Sequence, residues 1–226
     1  MVRGVSSSVP PSVEARAARH AALGDPVRLG IVDELAWSDR APIELRHRFG
    51  LPSNLLAHHL DVLEGLGLIE RSRSSGDGRR RYVHLRPGAL DDLGAVRRAA
   101  PSAALFVCSA NSARSQLAAV LWRRLTGQPA ASAGTHPAAR VHPGAISAAE
   151  RAGLDLRGAV PQALADVDPV PALVVTVCDQ AHEEVAPGDA WLHWSVPDPV
   201  PVGTSAAFDA TVSELTDRIQ AVIGAS

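Results

Sequence analysis

Cysteine is scarce: the 226 residues hold two, Cys108 and Cys178, both in the second half and each at the end of an apolar run. Two are too few for a disulfide framework, and the placement suits nucleophilic or redox use of a thiol. No stretch approaches the roughly 18 apolar residues of a membrane span, and residues 1–12 lack the apolar core of a signal peptide. A cytoplasmic protein without membrane contact is expected. Lysine is absent: all 22 basic residues are arginine, a bias of genome composition rather than of chemistry. His20, His47, His58, His59 and His84 have no ligand spacing, Glu44-Leu45-Arg46-His47-Arg48 contains no cysteine, and Ala89 to Ala99 offers Asp91 and Asp92 without a histidine. Neither a metal site nor a tightly bound cofactor is expected.

What is present divides in two. The length leaves room for two small cores, and the formal net charge of −2 hides an asymmetry. Residues 1–100 carry 15 Arg against 12 acidic residues, giving +3, whereas residues 101–226 carry 7 against 12, giving −5. Only the first half has a charge balance suited to nucleic acid.

The chemistry concentrates in Leu105-Phe106-Val107-Cys108-Ser109-Ala110-Asn111-Ser112-Ala113-Arg114-Ser115-Gln116. An apolar run of strand length breaks into small and polar residues, then enters a segment with Leu117, Leu121 and Leu125 at helical spacing. Strand, tight loop and helix are expected. Backbone N–H groups turned inward ahead of a helix N-terminus form a concave anion site, and the helix dipole adds to its potential. Ser109, Ala110, Asn111, Ser112, Ala113, Arg114 and Ser115 are therefore the candidate oxyanion-binding residues. The fork of Arg114 can hold two oxygens of a tetrahedral anion, and Cys108 is the candidate nucleophile. Ser115 is placed to donate to the sulfur and Asn111 to fix the loop from within.

This loop resembles the active-site loop of the low-molecular-weight protein tyrosine phosphatases and of the arsenate reductases built on the same fold. Ser132-Ala133-Gly134-Thr135, His142-Pro143, Val174 to Cys178 and His193-Trp194 to Asp198-Pro199 extend the resemblance over residues 101–226. Strand-forming runs at 130–133, 172–177 and 191–194 alternate with helical segments at 143–152 and from Phe208 to Val222. A small doubly wound α/β domain with a parallel sheet follows, its ligand site at the carboxyl ends of the strands. The resemblance implies that Asp198 is the general acid and Cys178 the second thiol of a reductase. A third cysteine, used by thioredoxin-coupled members, is replaced here by Val185.

The first half reads as a mobile arm over residues 1–12, then helices from Val13, Pro26, Pro42 and Pro52. Strands at Leu66 to Glu70 and Tyr82 to Leu85 flank the basic tip Arg71 to Arg81. Helix, Gly-terminated turn and helix followed by a basic hairpin suits DNA, with phosphates gripped beside the groove. Leu23-Gly24-Asp25-Pro26-Val27-Arg28-Leu29, His58-His59-Leu60 and Gly67-Leu68-Ile69 resemble the ArsR-type winged helix-turn-helix repressors. The resemblance implies a mainly α DNA-binding domain over residues 13–100 that binds double-stranded operator DNA as a homodimer. Ser53, Asn54 and His58 are the candidates for base or phosphate contact, with Leu55 against a thymine methyl. Arg73, Arg79, Arg80 and Arg81 are the candidates for phosphate contact, and His59 is read as a packed residue.

Three functions stay open at this point. Arsenate reduction would use Cys108 and Cys178, with re-reduction by a thioredoxin-like partner or a low-molecular-weight thiol. Phosphatase activity would need only Cys108, Arg114 and Asp198, although Val200, Pro201 and Val202 stand where phosphotyrosine-binding aromatics are common. Trp122, Trp191 and Trp194 could still supply an aromatic wall. A catalytically silent oxyanion or redox sensor controlling DNA binding is the third.

Overall fold

The protein, seen in a computed structural model, is described over residues 12–75, 78–90, 102–187 and 191–223. The arm over residues 1–11, Gly76-Asp77 of the hairpin tip, the later part of the helix expected from Ala89 to Ala99 and Pro101 at the domain junction lie outside the described residues.

The N-terminal unit runs α1 (Val13–Leu23), α2 (Pro26–Leu35), α3 (Pro42–Phe49), α4 (Ser53–Gly65), β1 (Ile69–Arg73) and β2 (Arg81–Leu85). Ser12 belongs to this unit and not to a mobile arm, because its side chain caps α1 by accepting from the Ala15 N–H at 3.2 Å. Asp25 caps α2 through the N–H groups of Val27 and Arg28 at 3.0 and 2.9 Å. Pro26 lies in the first turn of α2, where a missing N–H costs nothing. Gly50, at φ 63°, ends α3 in the left-handed conformation that a side chain would disfavour. Ile31, Val32, Leu35, Leu45, Leu56, Leu60, Leu63 and Val83 close a separate core.

The strand limits differ from those read in the sequence. After α4, Leu68 N–H donates to Leu63 O at 3.0 Å through the positive φ of Gly67, so no strand starts before Ile69. The antiparallel ribbon instead extends outward to the pair Arg73 and Arg81. Both residues sit on strands, and the tip shrinks to residues 74–80.

The C-terminal unit runs β3 (Ala104–Cys108), α5 (Arg114–Thr126), β4 (Ala130–Gly134), α6 (Pro143–Arg151), a 3-10 turn (Leu164–Asp166), β5 (Leu173–Thr176), α7 (Asp179–Val185), β6 (Leu192–His193) and α8 (Ser205–Ile223). The sheet is parallel with order β4-β3-β5-β6. From β3 the chain turns to β4 on one side, then returns past it to β5 and β6. Right-handed crossovers in opposite directions place α5 and α7 on opposite faces and open a crevice between the carboxyl ends of β3 and β5. Every residue of β3 is buried, as expected for a strand covered on both faces. Phe106 packs between Trp122 and Trp194, with ring centroids 5.8 and 5.9 Å away. These two tryptophans are core and do not form a wall for a substrate ring.

The two units are joined by Trp37–Arg40, which lies between β6 and β2. Asp39 N–H donates to His193 O at 2.6 Å, and Ser38 Oγ accepts from His193 N–H at 2.7 Å. On the other side Arg40 and Val83 exchange both backbone bonds at 3.2 and 2.8 Å. The indole N–H of Trp194 reaches Trp37 O at 3.1 Å. His193 and Trp194, part of the motifs that extend the resemblance, are thus contacts to the N-terminal unit.

His182, on α7, stacks on His193 with centroids 4.1 Å apart and places Nδ1 3.0 Å from Thr176 Oγ1. Burial, followed by the His193 and Arg40 charges, pushes its pKa down from 6.5 to about 3. Below pH 6.5 the unfolded chain takes a proton that the folded chain refuses, so stability is lost as pH falls toward 3. His182→Gln is expected to flatten this loss, by up to about 1.4 kcal/mol per pH unit. Urea unfolding of both proteins at a series of acid pH values measures the difference.

Candidate active site

Cys108 closes β3, and the chain then turns through Ser109–Ala113 into α5. The turn is held from outside by residues 134–142. The N–H groups of Thr135, His136, Ala138 and His142 donate to the carbonyls of Cys108, Ser109, Ala110 and Ser112 at 3.2, 2.9, 2.8 and 2.8 Å. A loop whose carbonyls are fixed outward presents its amide N–H groups to the concave side, where an anion would lie. Gly134 makes the close approach possible: a Cβ there would stand 2.6 Å from Ser109 O and 3.1 Å from Asn111 N.

Asn111 is the internal brace. It is fully buried at φ 48°, a conformation Asn tolerates better than most side chains. Its Oδ1 accepts from Gln162 N–H at 2.9 Å and from Gln116 Nε2 at 3.1 Å, while its Nδ2 donates to Ser115 Oγ at 2.8 Å. Since Ser115 Oγ accepts that bond, its own hydrogen is available for Cys108 Sγ, 3.0 Å away. Asn111 N–H also points to Cys108 Sγ, at 3.2 Å. The sulfur thus sits among donors, the surroundings that a thiolate requires.

Arg114 opens α5 and is almost buried. Its Nη1 donates to Val196 O at 3.0 Å and its Nη2 pairs with Asp198 Oδ2 at 2.8 Å. Asp198 Oδ1 accepts in turn from Val200 N–H at 3.1 Å. A tetrahedral anion in the loop would compete with Asp198 for the same guanidinium, which ties anion entry to the position of the carboxyl group.

Cys178 follows β5 at the same edge of the sheet. Val107 and Thr176 are register partners, and Val177 N–H donates to Val107 O at 2.7 Å. Both cysteines are free thiols and buried. Burial pushes the Cys178 thiol up, against the Arg114 charge and the N–H groups of Ala181 and Ser109, while Cys108 pushes it further up. Cys178 lies at the carboxyl end of β5, beside the strand that ends in Cys108. Gln162, the 134–142 strap and Val196 O are parts of the site that local reading does not reveal, although Gly134, Thr135 and His142 stand in the quoted motifs. Among the described residues no group of three or more His, Cys, Asp or Glu converges to hold a metal.

The remaining candidates lie elsewhere. Ser53, Asn54 and His58 share the exposed face of α4, whereas His59 is buried beneath them. Ser53 Oγ accepts from Arg46 at 3.2 Å. Arg73, Arg79, Arg80 and Arg81 are exposed along the ribbon.

A thiol ending a central parallel strand, a tight loop and an arginine at the start of the next helix come together at one end of the sheet. Residues 103–225 match the family described as low molecular weight phosphotyrosine protein phosphatase, and the chain belongs to that family. The tyrosine phosphatase amsI of Erwinia amylovora is 23% identical over 57% of this chain and 93% of its own, with a TM-score of 0.47. An arsenate reductase from Archaeoglobus fulgidus is 24% identical over 52% and 95%, with a TM-score of 0.43. The thioredoxin-dependent arsenate reductase of Corynebacterium glutamicum is 26% identical over 53% and 58%, with a TM-score of 0.42. No curated protein matches the chain. None of the described helices is long and apolar enough to cross a membrane.

Gly134→Ala is expected to force the strap away from the loop, costing about 1–3 kcal/mol of stability. Phosphate affinity, measured by calorimetry, is expected to fall roughly tenfold or more as the amide donors lose their positions.

Proposed function

We propose that the C-terminal unit is a thiol-dependent arsenate reductase, and that the N-terminal unit is a winged helix-turn-helix repressor which binds operator DNA as a homodimer in the cytoplasm. The observation that carries the enzymatic reading is the second thiol: Cys178 is buried at the carboxyl end of β5, beside the strand that ends in Cys108.

Arsenate binds in the loop with Arg114 on two of its oxygens, and Cys108 Sγ attacks arsenic. One oxygen leaves as water, its proton supplied by Asp198, and an S–As bond forms. Cys178 then attacks Cys108 Sγ. The S–As bond breaks, its electron pair passes to arsenic, As(V) becomes As(III) and leaves as arsenite, and the two cysteines become a disulfide. An external dithiol of the thioredoxin type, or a low-molecular-weight thiol, returns both sulfurs to the reduced state.

Aryl phosphate hydrolysis is the second reading, favoured by the 2.8 Å pair between Arg114 and Asp198, which positions a carboxyl group beside a bound anion. Purified protein supplied with arsenate and a reductant is expected to release arsenite, with Cys108→Ser and Cys178→Ser each at least about 100-fold slower. Aryl phosphate turnover that survives Cys178→Ser, without arsenite release, would select the phosphatase, and silence in both assays would leave an oxyanion sensor.

For the N-terminal unit, α3, the left-handed turn at Gly50, α4 with its exposed polar face and the arginine-bearing ribbon support major-groove and backbone contact. Arg79→Ala and Arg80→Ala are each expected to weaken binding across sequences and to lower the log–log salt slope by about 1. Fluorescence anisotropy with duplex DNA at a series of salt concentrations measures both effects.

A further inference from the structure

Helix α7 has three neighbours, and each is chemically distinct. Its N-cap residue is Cys178, buried at the carboxyl end of β5 beside the strand that ends in Cys108. One turn apart, and so on one face, Asp179 and Glu183 reach the hairpin of the N-terminal unit. Asp179 Oδ2 accepts from Ser75 N–H at 2.7 Å and from Ser75 Oγ at 3.1 Å, and Asp179 Oδ1 contacts His193 Nε2 at 3.3 Å. Glu183 Oε1 accepts from Ser74 Oγ and, at 3.4 Å, from the Tyr82 hydroxyl. On a third side Glu184 accepts from Thr135 Oγ1 at 2.9 Å and pairs with His136 Nε2 at 2.6 Å. Thr135 and His136 are the residues whose N–H groups hold the carbonyls of Cys108 and Ser109.

We propose that α7 is a redox relay: joining Cys178 to Cys108 draws the start of the helix toward the loop and releases the hairpin from Asp179. The inference rests on the two-thiol reading of the site. Its physical basis is a length mismatch. Unbonded sulfurs stay about 3.5 Å or more apart, whereas a disulfide measures about 2.05 Å. Cys108 lies at the end of the central strand and is held by Ser115 and Asn111, so it has little freedom to move. Cys178 begins a helix of seven residues, too short to resist by its own hydrogen bonds. A displacement of about an ångström takes the 2.7 Å bond from Ser75 N–H beyond hydrogen-bonding distance. Burial alone would raise Asp179, but the nearby His193, Ser195 and the Ser75 N–H outweigh it and bring its pKa down to about 2, so the clamp is an ionised acceptor.

The test uses the full chain and needs neither arsenate nor DNA, so it is separable from both parts of the proposed function. Diamide oxidises the two thiols to a disulfide, taking up two electrons and two protons to become the hydrazine. Peptide mass mapping establishes whether Cys108 and Cys178 are joined. Amide hydrogen exchange is then followed at Ser75 and across residues 78–85. The relay requires Ser75 exchange to rise at least about tenfold in the disulfide form and to return after reduction. Cys108→Ser treated with diamide should stay at the dithiol rate, and Asp179→Asn should exchange fast before and after oxidation. Should Asp179→Asn fail to fold, Glu183→Gln serves instead, with fast exchange at the Ser74 side of the hairpin and a reduced response. A disulfide with unchanged or slower Ser75 exchange overturns the relay, and so does the absence of a Cys108–Cys178 disulfide under diamide. Arsenite release without a change at Ser75 would leave the reductase standing and remove the relay alone.

Discussion

A carboxylate taken wholly out of water must be paired, and Asp39 is the residue on which the joined structure depends. It is 1% exposed in its side chain, with Arg218 at 2.9 Å, His84 at 2.9 Å and Ser195 N–H at 2.6 Å. Burial by itself would raise its pKa; the Arg218 guanidinium and His84 instead hold the carboxyl well below the usual range. These partners come from α8, β2 and the segment after β6, so a single ionised group fixes elements of both units at once. Removing one partner would leave a buried charge uncompensated, which is far more costly than the pair is favourable. The Trp37–Arg40 segment is thereby held between the two sheets, and backbone bonds to His193 and Val83 follow from its position.

The candidate site depends on the second unit's own topology. The sheet order β4-β3-β5-β6 places a crevice at the carboxyl ends of β3 and β5, and Cys108 and Cys178 are the residues that the chain delivers there. The strap at 134–142 then decides which way the loop's carbonyls turn. Asn111 and Ser115 supply the sulfur's donors, and Arg114 is kept close by Asp198 and Val196 O. An anion entering the loop would share the Arg114 guanidinium with Asp198, an arrangement that suits proton delivery from that carboxyl group.

Between these centres lies α7. The hairpin that carries Arg73, Arg79, Arg80 and Arg81 is anchored on it through Ser74 and Ser75, while those arginines stay exposed. A helix capped by Cys178 at one end is hydrogen-bonded along one face to the basic ribbon of the other unit. No long lever is required, because Cys178 and Asp179 are adjacent in the chain.

Much was legible without coordinates, where the determinants are local. Apolar runs marked β3 and β5, helical spacing marked α5 and α8, and Pro26 and Pro42 marked helix starts. Cys108, Asn111, Arg114 and Ser115 could be chosen because loop chemistry needs those residue types near a helix start. Other features were not legible. The seven residues of α7 are too few for periodicity and form a helix only by packing. His193 and Trp194 look the same in sequence whether they meet a substrate or a neighbouring unit. Asp39 and Arg218 lie 179 residues apart, and the strap's bonds to the loop span shorter but equally non-local separations. The sequence by itself determined most of the elements and the residue types gathered in the candidate site, since propensity and spacing act over a few residues. Only the tertiary structure decided which groups meet, because a buried pair or an outward-turned carbonyl is stable only once distant segments have excluded water around it.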